Sequence, residues 1–268
     1  MDAFELLKKK IKDDRGFNCE NYKETSLRRR LGLRMRATHT ESHGAYLEYL
    51  KNNESEYGPL MKALTVNFTE FFRDPGMYDF LRDDILPDLV RRKREQGRKI
   101  IRLWSAGCSS GEEPYSVAIL VKEFLGSDLD YFIVNIRASD IDDVCLSAAK
   151  RGEYEELVFK NIEPSLFAKY FERAGEKYRV KDEIKALVKF EKHDLISGER
   201  KKYFDVILCR NVFIYFSRDT QKDLFEMFYD ALNADGYLII GKTETMHEGM
   251  SKKFEMVNLC ERIFKKVG

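Results

Sequence analysis

From residue 100 onward the chain repeats one rhythm: a short apolar run, a turn, then a stretch of helical length. Ile100-Ile101-Arg102-Leu103-Trp104 is the first run, and residues 131–138, 186–191, 204–209 and 236–241 repeat it. Helices are predicted from residue 112, over 142–150 and over 218–232. Runs this apolar suit strands buried on both faces, so the alternation predicts a doubly wound α/β fold with a parallel sheet covered by helices. The rhythm breaks over residues 151–185, where a helix over 164–171 and short β segments predict a small inserted subdomain. Residues 254–257 and 262–264 predict a closing hairpin.

The first 64 residues carry a different pattern. Phe4, Leu7 and Ile11, then Leu27, Leu31 and Met35, then Tyr46, Leu47 and Leu50 recur at helical spacing, and no strand-like alternation interrupts them. Gly58-Pro59 is a break before another short helix. Asp74 and Pro75 suit the N-cap and first position of a long helical stretch, Pro87 should kink or restart it and Gly97 should end it. The 268 residues accommodate one large domain and one small one.

Lys plus Arg number 47 and Asp plus Glu 46, so no global charge draws the chain to nucleic acid or membrane. The five cysteines are scattered and form no CxxC pair, which fits a reducing compartment and gives no metal site. His39 and His43 have helical spacing but no nearby Glu or Cys and read as surface residues. No signal-type segment or membrane-length apolar run is evident, so a cytoplasmic protein is expected.

The turn Ser105-Ala106-Gly107-Cys108-Ser109-Ser110-Gly111-Glu112-Glu113-Pro114 ends the first strand and opens a helix. Its small residues let backbone approach a ligand closely. Alone it is also compatible with an ordinary tight loop. Its acids discriminate between cofactors: a dinucleotide's pyrophosphate would be repelled there, whereas the ammonium and sulfonium of S-adenosylmethionine would not. Neither GxGxxG nor a P-loop Lys is present. Asp140, after the second strand, can accept hydrogen bonds from both ribose hydroxyls. Position alone leaves helix capping equally open; the first turn favours the ribose role.

Four segments, in order, resemble the chemotaxis receptor-methylating (CheR) family. They are Thr65-Val66-Asn67-Phe68-Thr69-Glu70-Phe71-Phe72-Arg73-Asp74-Pro75, the turn over 105–116, Ala138-Ser139-Asp140-Ile141-Asp142, and Phe204-Asp205-Val206-Ile207-Leu208-Cys209-Arg210-Asn211-Val212-Phe213-Ile214-Tyr215-Phe216. The resemblance covers nearly the whole chain. It implies a helical receptor-recognition domain over 1–64 and an S-adenosylmethionine-dependent methyltransferase domain over 65–268, with an antiparallel β-subdomain inserted at about 151–185. It implies cofactor contacts at Asn67, Thr69, Arg73, Glu113, Asp140, Asp194, Leu195, Arg210 and Asn211, with Glu112 sharing the role of its neighbour. Arg210 ends an apolar strand and needs a partner, either the cofactor or a local carboxylate. Phe68, Phe71 and Phe72 read as core or adenine-pocket walls.

The implied reaction esterifies glutamate side chains of a chemoreceptor. A glutamate is already ionised near neutral pH, its reference pKa being about 4.3, so it needs alignment more than a general base. Arg73 and Tyr215 are the expected catalytic residues: Arg73 to hold a carboxylate, Tyr215 to set its hydroxyl beside the reacting groups. Without the resemblance, Tyr215 would read as a core aromatic. Residues 23–36 hold six basic residues and one acid, and Arg28, Arg29, Arg30, Arg34 and Arg36 form a basic face that the resemblance assigns to the receptor's acidic methylation region. A solvated charged face is the plain alternative. An RNA methyltransferase or a non-catalytic cofactor-sensing adaptor are the rival functions. Near-neutral net charge, +1, and the absence of an aromatic-basic patch oppose the first, and retention of Arg73 and Tyr215 the second. Some family members bind a receptor carboxyl-terminal peptide along the β-subdomain edge. Here the turn near residues 174–177 is shorter than theirs, so independence from such a tether is expected.

Overall fold

The computed structural model describes residues 2–65 and 68–268. The chain forms two compact units, Met1–Asn67 with Ile214–Gln221, and Phe68–Phe213 with Lys222–Gly268.

The first unit contains α1 (Ala3–Arg15), α2 (Glu24–Ala37), α3 (His43–Asn52) and α4 (Tyr57–Thr65). The helical spacing in the sequence becomes one core, in which Phe4, Leu7, Ile11, Leu27, Leu31, Tyr46, Leu50, Leu60 and Leu64 are buried together. Gly16, left-handed at φ 69°, closes α1 by donating to Lys12 O, the usual glycine stop. Ser42 caps α3 by accepting from the Ala45 N–H.

The basic residues of α2 divide between two environments, which corrects the single outward face expected for them. Arg28, Arg29 and Arg36 are exposed. Arg30 is buried, and its Nη1 donates to Ala63 O at 2.8 Å. Arg34 makes a two-point pair with buried Glu56, both contacts 2.8 Å, and Tyr46 donates to the same carboxylate. Glu56 could not be buried charged without these partners, so Arg30 and Arg34 serve the fold of this unit.

The second unit begins with α5 (Pro75–Phe80), a π-helical turn over Leu81–Ile85 and α6 (Leu86–Glu95); Pro87 lies at the restart, as expected. Then follow β1 (Ile100–Ala106), α7 (Glu112–Leu125), β2 (Ile133–Asp140), α8 (Asp143–Arg151), β3 (Glu153–Tyr154), α9 (Pro164–Tyr170), β4 (Phe171–Ala174), β5 (Lys177–Val180), α10 (Asp182–Lys185), β6 (Val188–Lys192), β7 (Phe204–Cys209), α11 (Arg218–Ala231), β8 (Leu232–Ile240), β9 (Phe254–Asn258) and β10 (Ile263–Lys266). The main sheet has the order β6-β2-β1-β7-β8-β10-β9. It is parallel from β6 through β8, with an antiparallel margin from the closing hairpin. A separate antiparallel sheet, β3-β5-β4, forms the inserted subdomain. The expected α/β class with a helical N-terminal part is therefore the observed one.

Strand β2 starts two residues later than the apolar run suggests, because the N–H groups of Tyr131 and Phe132 are taken by Asp128 O in a preceding turn. At the far end of the sheet, Asp205 is buried and accepts from the Arg102 N–H, from Asn233 and from Lys93 at 2.7 Å. This buried pair fixes α6 to the start of β7.

Candidate active site

Strands β1 and β7 are neighbours, but the chain moves from β1 toward β2 and β6 on one side and from β7 toward β8 on the other. The loops leaving their carboxyl ends diverge, and α/β ligands bind in the crevice so formed. Two turns with unusual backbone, those after β1 and β7, meet this description. Gly107 has φ 79°, Ser109 φ 49° and Asn211 φ 60°. A Cβ on Gly107 would fall 2.6 Å from a Val212 methyl, so only glycine lets the β1 and β7 loops approach this closely.

Asp140 ends β2 and is buried. One oxygen accepts from the Ser109 N–H at 2.7 Å and the other from the Asp142 N–H at 3.0 Å. Burial raises its pKa, against the pull of those backbone donors. The helix-cap alternative falls away, because Asp142 caps α8 by accepting from the Val144 and Cys145 N–H groups. Asp140 instead fastens the β1 turn to β2, and its carboxylate has acceptor capacity left for a further donor.

The paired glutamates behave differently. Glu113 accepts from Ser105 Oγ at 2.7 Å and faces the Arg210 guanidinium at 3.4 Å. Glu112 turns into the protein, where it is 3 % exposed and accepts from Ser110 Oγ. Burial pushes its carboxyl up to about 7, although the Ser110 hydroxyl and the helix start favour the charged form. Asp194 shapes its own turn, accepting from the Ile196 N–H and from Ser197 Oγ, with half-buried Leu195 beside it.

Within segment 68–74, Phe71 and Phe72 are core residues. Phe71 packs among Tyr154, Phe159 and Phe171 at 4.9–5.0 Å between ring centres. Phe68, expected as core or pocket wall, is 64 % exposed. Its carbonyl accepts from Arg73 Nη1 at 3.2 Å. Thr69 is half-buried, and Asn67 lies outside the described residues. Asp74 occupies the N-cap of α5 with Pro75 at the first helical position, as expected, but its side chain does not cap. It has φ 58° and makes no capping bond, because its carboxylate is held by Arg210 at 2.5 Å.

Arg210 is the most committed side chain of the site. Nη2 donates to Asp74 and to Arg73 O, and Nη1 reaches Glu113. Burial works against its charge, yet Glu113 and Asp74 outweigh it and the guanidinium is held charged. Of the two partners weighed from the sequence, local carboxylates are the ones that Arg210 has. Asn211 next to it donates its N–H to buried Glu244 at 3.1 Å, and Gly241 N–H donates to the same oxygen at 2.6 Å. Glu244, Asp74 and Ser105 were not legible as site residues beforehand. The run Gly241-Lys242-Thr243-Glu244, directly after an apolar strand, was the available signal for Glu244.

Tyr215 belongs to the first unit. It is half-buried while Phe213 and Phe216 are buried, so it is not the main core residue of its run. Its carbonyl accepts from the Lys23 N–H, and the Arg30 guanidinium lies 4.9 Å from its ring centre.

Residues 67–263 match the CheR methyltransferase SAM binding domain, and residues 2–65 match the CheR methyltransferase all-alpha domain. The chain belongs to the CheR methyltransferase family. A chemotaxis protein methyltransferase of Borreliella burgdorferi is 33% identical over 95% of this chain and 92% of that protein. Chemotaxis protein methyltransferase 2 of Vibrio cholerae is 37% identical over 86% of this chain and 81% of its own length. The CheR site fits S-adenosylmethionine. It offers carboxylates at Glu113 and Asp140, a glycine turn that lets backbone come close, and Arg73 for a carboxylate.

Proposed function

We propose that this CheR-family enzyme methylates glutamate side chains in the cytoplasmic region of a chemoreceptor, giving methyl esters. The observation that carries the reading is that chemotaxis methyltransferases match both the helical part and the catalytic part of the chain, over 95% of its length for the Borreliella protein. Residues 1–64 would recognise the receptor and residues 65–268 would carry out transfer. S-adenosylmethionine, when bound, supplies a methyl group already activated on a sulfonium.

The chain's own residues supply position and charge. Asp140 accepts from ribose hydroxyls, Glu113 holds the ammonium of the methionine end, and Arg73 holds a carboxylate. Thr69, Asn67, Asp194, Leu195 and Asn211 complete the cofactor contacts, while Arg210 contributes by tying Glu113 to the Arg73 turn. Tyr215 is the second catalytic residue of this reading, its hydroxyl acting on the reacting groups. The substrate carboxylate arrives ionised, so these groups serve to orient it and replace its water rather than to move a proton. Arg28, Arg29 and Arg36 remain the outward-facing cations of α2 and suit an acidic partner.

Among the described residues no helix is long and apolar enough to cross a membrane, which is compatible with a cytoplasmic site of action. Independence from a receptor peptide tether is part of the same reading. It is supported by the tight β4–β5 connection, where Ala174 pairs with Lys177 around a two-residue loop that offers a peptide little surface.

Labelled cofactor, a receptor cytoplasmic fragment and the enzyme give the test. Base-labile label on the receptor is the expected result. Label on RNA, or none on the receptor, would overturn the proposal. Titration with the receptor's carboxyl-terminal pentapeptide tests the tether: micromolar binding, roughly −8 kcal/mol, would refute independence.

A further inference from the structure

Arg73 stands between two non-glycine residues in the left-handed region, Phe72 at φ 51° and Asp74 at φ 58°. Such backbone persists only where its surroundings over-determine it. On one side the restraint is burial. Phe71 and Phe72 are core residues, the Phe71 N–H donates to Val158 O at 3.0 Å, and the Phe72 N–H donates to Ser116 Oγ at 3.0 Å. On the other side the restraint is ionic. An acid just before a proline-led helix ordinarily caps it. Asp74 makes no cap bond and gives its carboxylate to Arg210 instead. Arg210, with a side chain only 3% exposed, grips the turn at two points, the Asp74 carboxylate at 2.5 Å and the Arg73 carbonyl at 3.0 Å.

We propose that Asp74 and Arg210 form a latch that positions Arg73. Neither is asked to touch substrate. They hold the strained turn from which the Arg73 guanidinium extends. The other nitrogen of Arg210 reaches Glu113 at 3.4 Å. One buried guanidinium therefore sets the spacing between an acid suited to an ammonium and an arginine suited to a carboxylate, the two ends of an amino-acid moiety. The inference rests on the roles proposed above for Arg73 and Glu113.

The test is a double-mutant cycle on the full chain with Arg73→Ala, Asp74→Asn and the pair. Asparagine tolerates left-handed backbone, so Asp74→Asn removes the ionic contact and leaves the turn's conformation accessible. Calorimetric affinity for S-adenosylhomocysteine and the single-turnover rate of receptor methylation are both read. Asp74→Asn is expected to lower one or both on the order of tenfold to a hundredfold, the scale of a small misplacement of a positioned group. In the Arg73→Ala background the same change should cost less than about threefold, because its target is already gone. If Arg73→Ala matters and Asp74→Asn is neutral or adds its full cost, the latch is refuted. If Arg73→Ala alone changes neither readout, the role of Arg73 falls and the latch falls with it. Should Asp74→Asn not fold, Arg210→Lys, which keeps the charge and loses the two-point grip, enters the same cycle with the same outcomes.

Discussion

Glu112 provides a quantitative test of how this site is packed. Its carboxyl is buried at the start of α7 with Ser110 Oγ as hydrogen-bond partner, and burial moves it from 4.5 to about 7. The folded value lies above the unfolded one, so the neutral side chain fits the fold without penalty at low pH. Stability is lost as pH rises from 4.5 toward about 7, and the loss is complete above that. Charging a carboxyl so displaced costs roughly 3 kcal/mol at about pH 8 and about 1 kcal/mol at about pH 5. Glu112→Gln is uncharged at both. The variant should therefore gain on the wild-type chain by roughly 2 kcal/mol between these conditions, and groups common to both proteins cancel. Urea unfolding without cofactor is the assay, followed by fluorescence of Trp104. That residue is the single tryptophan and is buried in β1 of the same unit. A stability difference that stays constant to within about 0.5 kcal/mol would refute a buried, neutral Glu112.

Asp140→Ala should weaken S-adenosylhomocysteine binding by about 1.5–3 kcal/mol, as for hydrogen bonds to a charged acceptor; unchanged calorimetric affinity would leave Asp140 only its loop-fastening contacts. Tyr215→Phe should lower the single-turnover rate more than cofactor affinity, and a normal rate would leave the residue with packing alone. Asp205→Ala strands the buried Lys93 ammonium and should destabilise the second unit by about 3–5 kcal/mol in urea unfolding; a loss under about 1 kcal/mol would show the pair to be solvated. Arg29→Glu with Arg36→Glu should raise KM for the receptor fragment, less so at high salt, while sparing cofactor affinity. Equal KM at low salt favours a merely solvated face.

The fold was largely legible because its signals are local and mutually consistent. Apolar runs with helix-length spacers define a wound sheet wherever they occur, and β7, the run over 204–209, is buried at every position. Boundaries were less legible where a turn claims the donors, as Asp128 does ahead of β2. The α2 arginines show why a charge count misleads. Arg30 and Arg34 look like Arg29 in sequence, but whether each meets solvent depends on Ala63 and Glu56, which lie more than twenty residues away. Glu244 was overlooked for a related reason: its partners are backbone groups of Asn211 and Gly241, so its place directly after the apolar run over 236–241 was its one sequence signal.

The least legible positions share one physical property. Phe72, Asp74, Ser109 and Asn211 all adopt positive φ without being glycine, and all lie in segment 68–74 or in the loops after β1 and β7. Propensity reads each of them wrongly, as strand-like, capping or ordinary loop residues, because a left-handed phenylalanine or serine is locally unfavourable. Each is held by something distant. Phe72 is held by Ser116 and the core, Asp74 by Arg210, Ser109 by Asp140 and Asn211 by Glu244. Three of those four restraints end on a charged side chain, so the strain and the buried ionic groups are parts of one construction. Locally inconsistent residues are expected where a site rather than stability sets the backbone. The same reasoning distinguishes two classes of substitution. Truncating Phe72 removes a buried side chain and costs core packing, whereas removing an ionic restraint, the Asp74 carboxylate or the Arg210 guanidinium, releases the turn without relieving its conformation. Only the second should separate Arg73 from Glu113 in their spacing, and for that reason Asp74 and Arg210, rather than Phe72, are the positions at which the site's geometry is open to test.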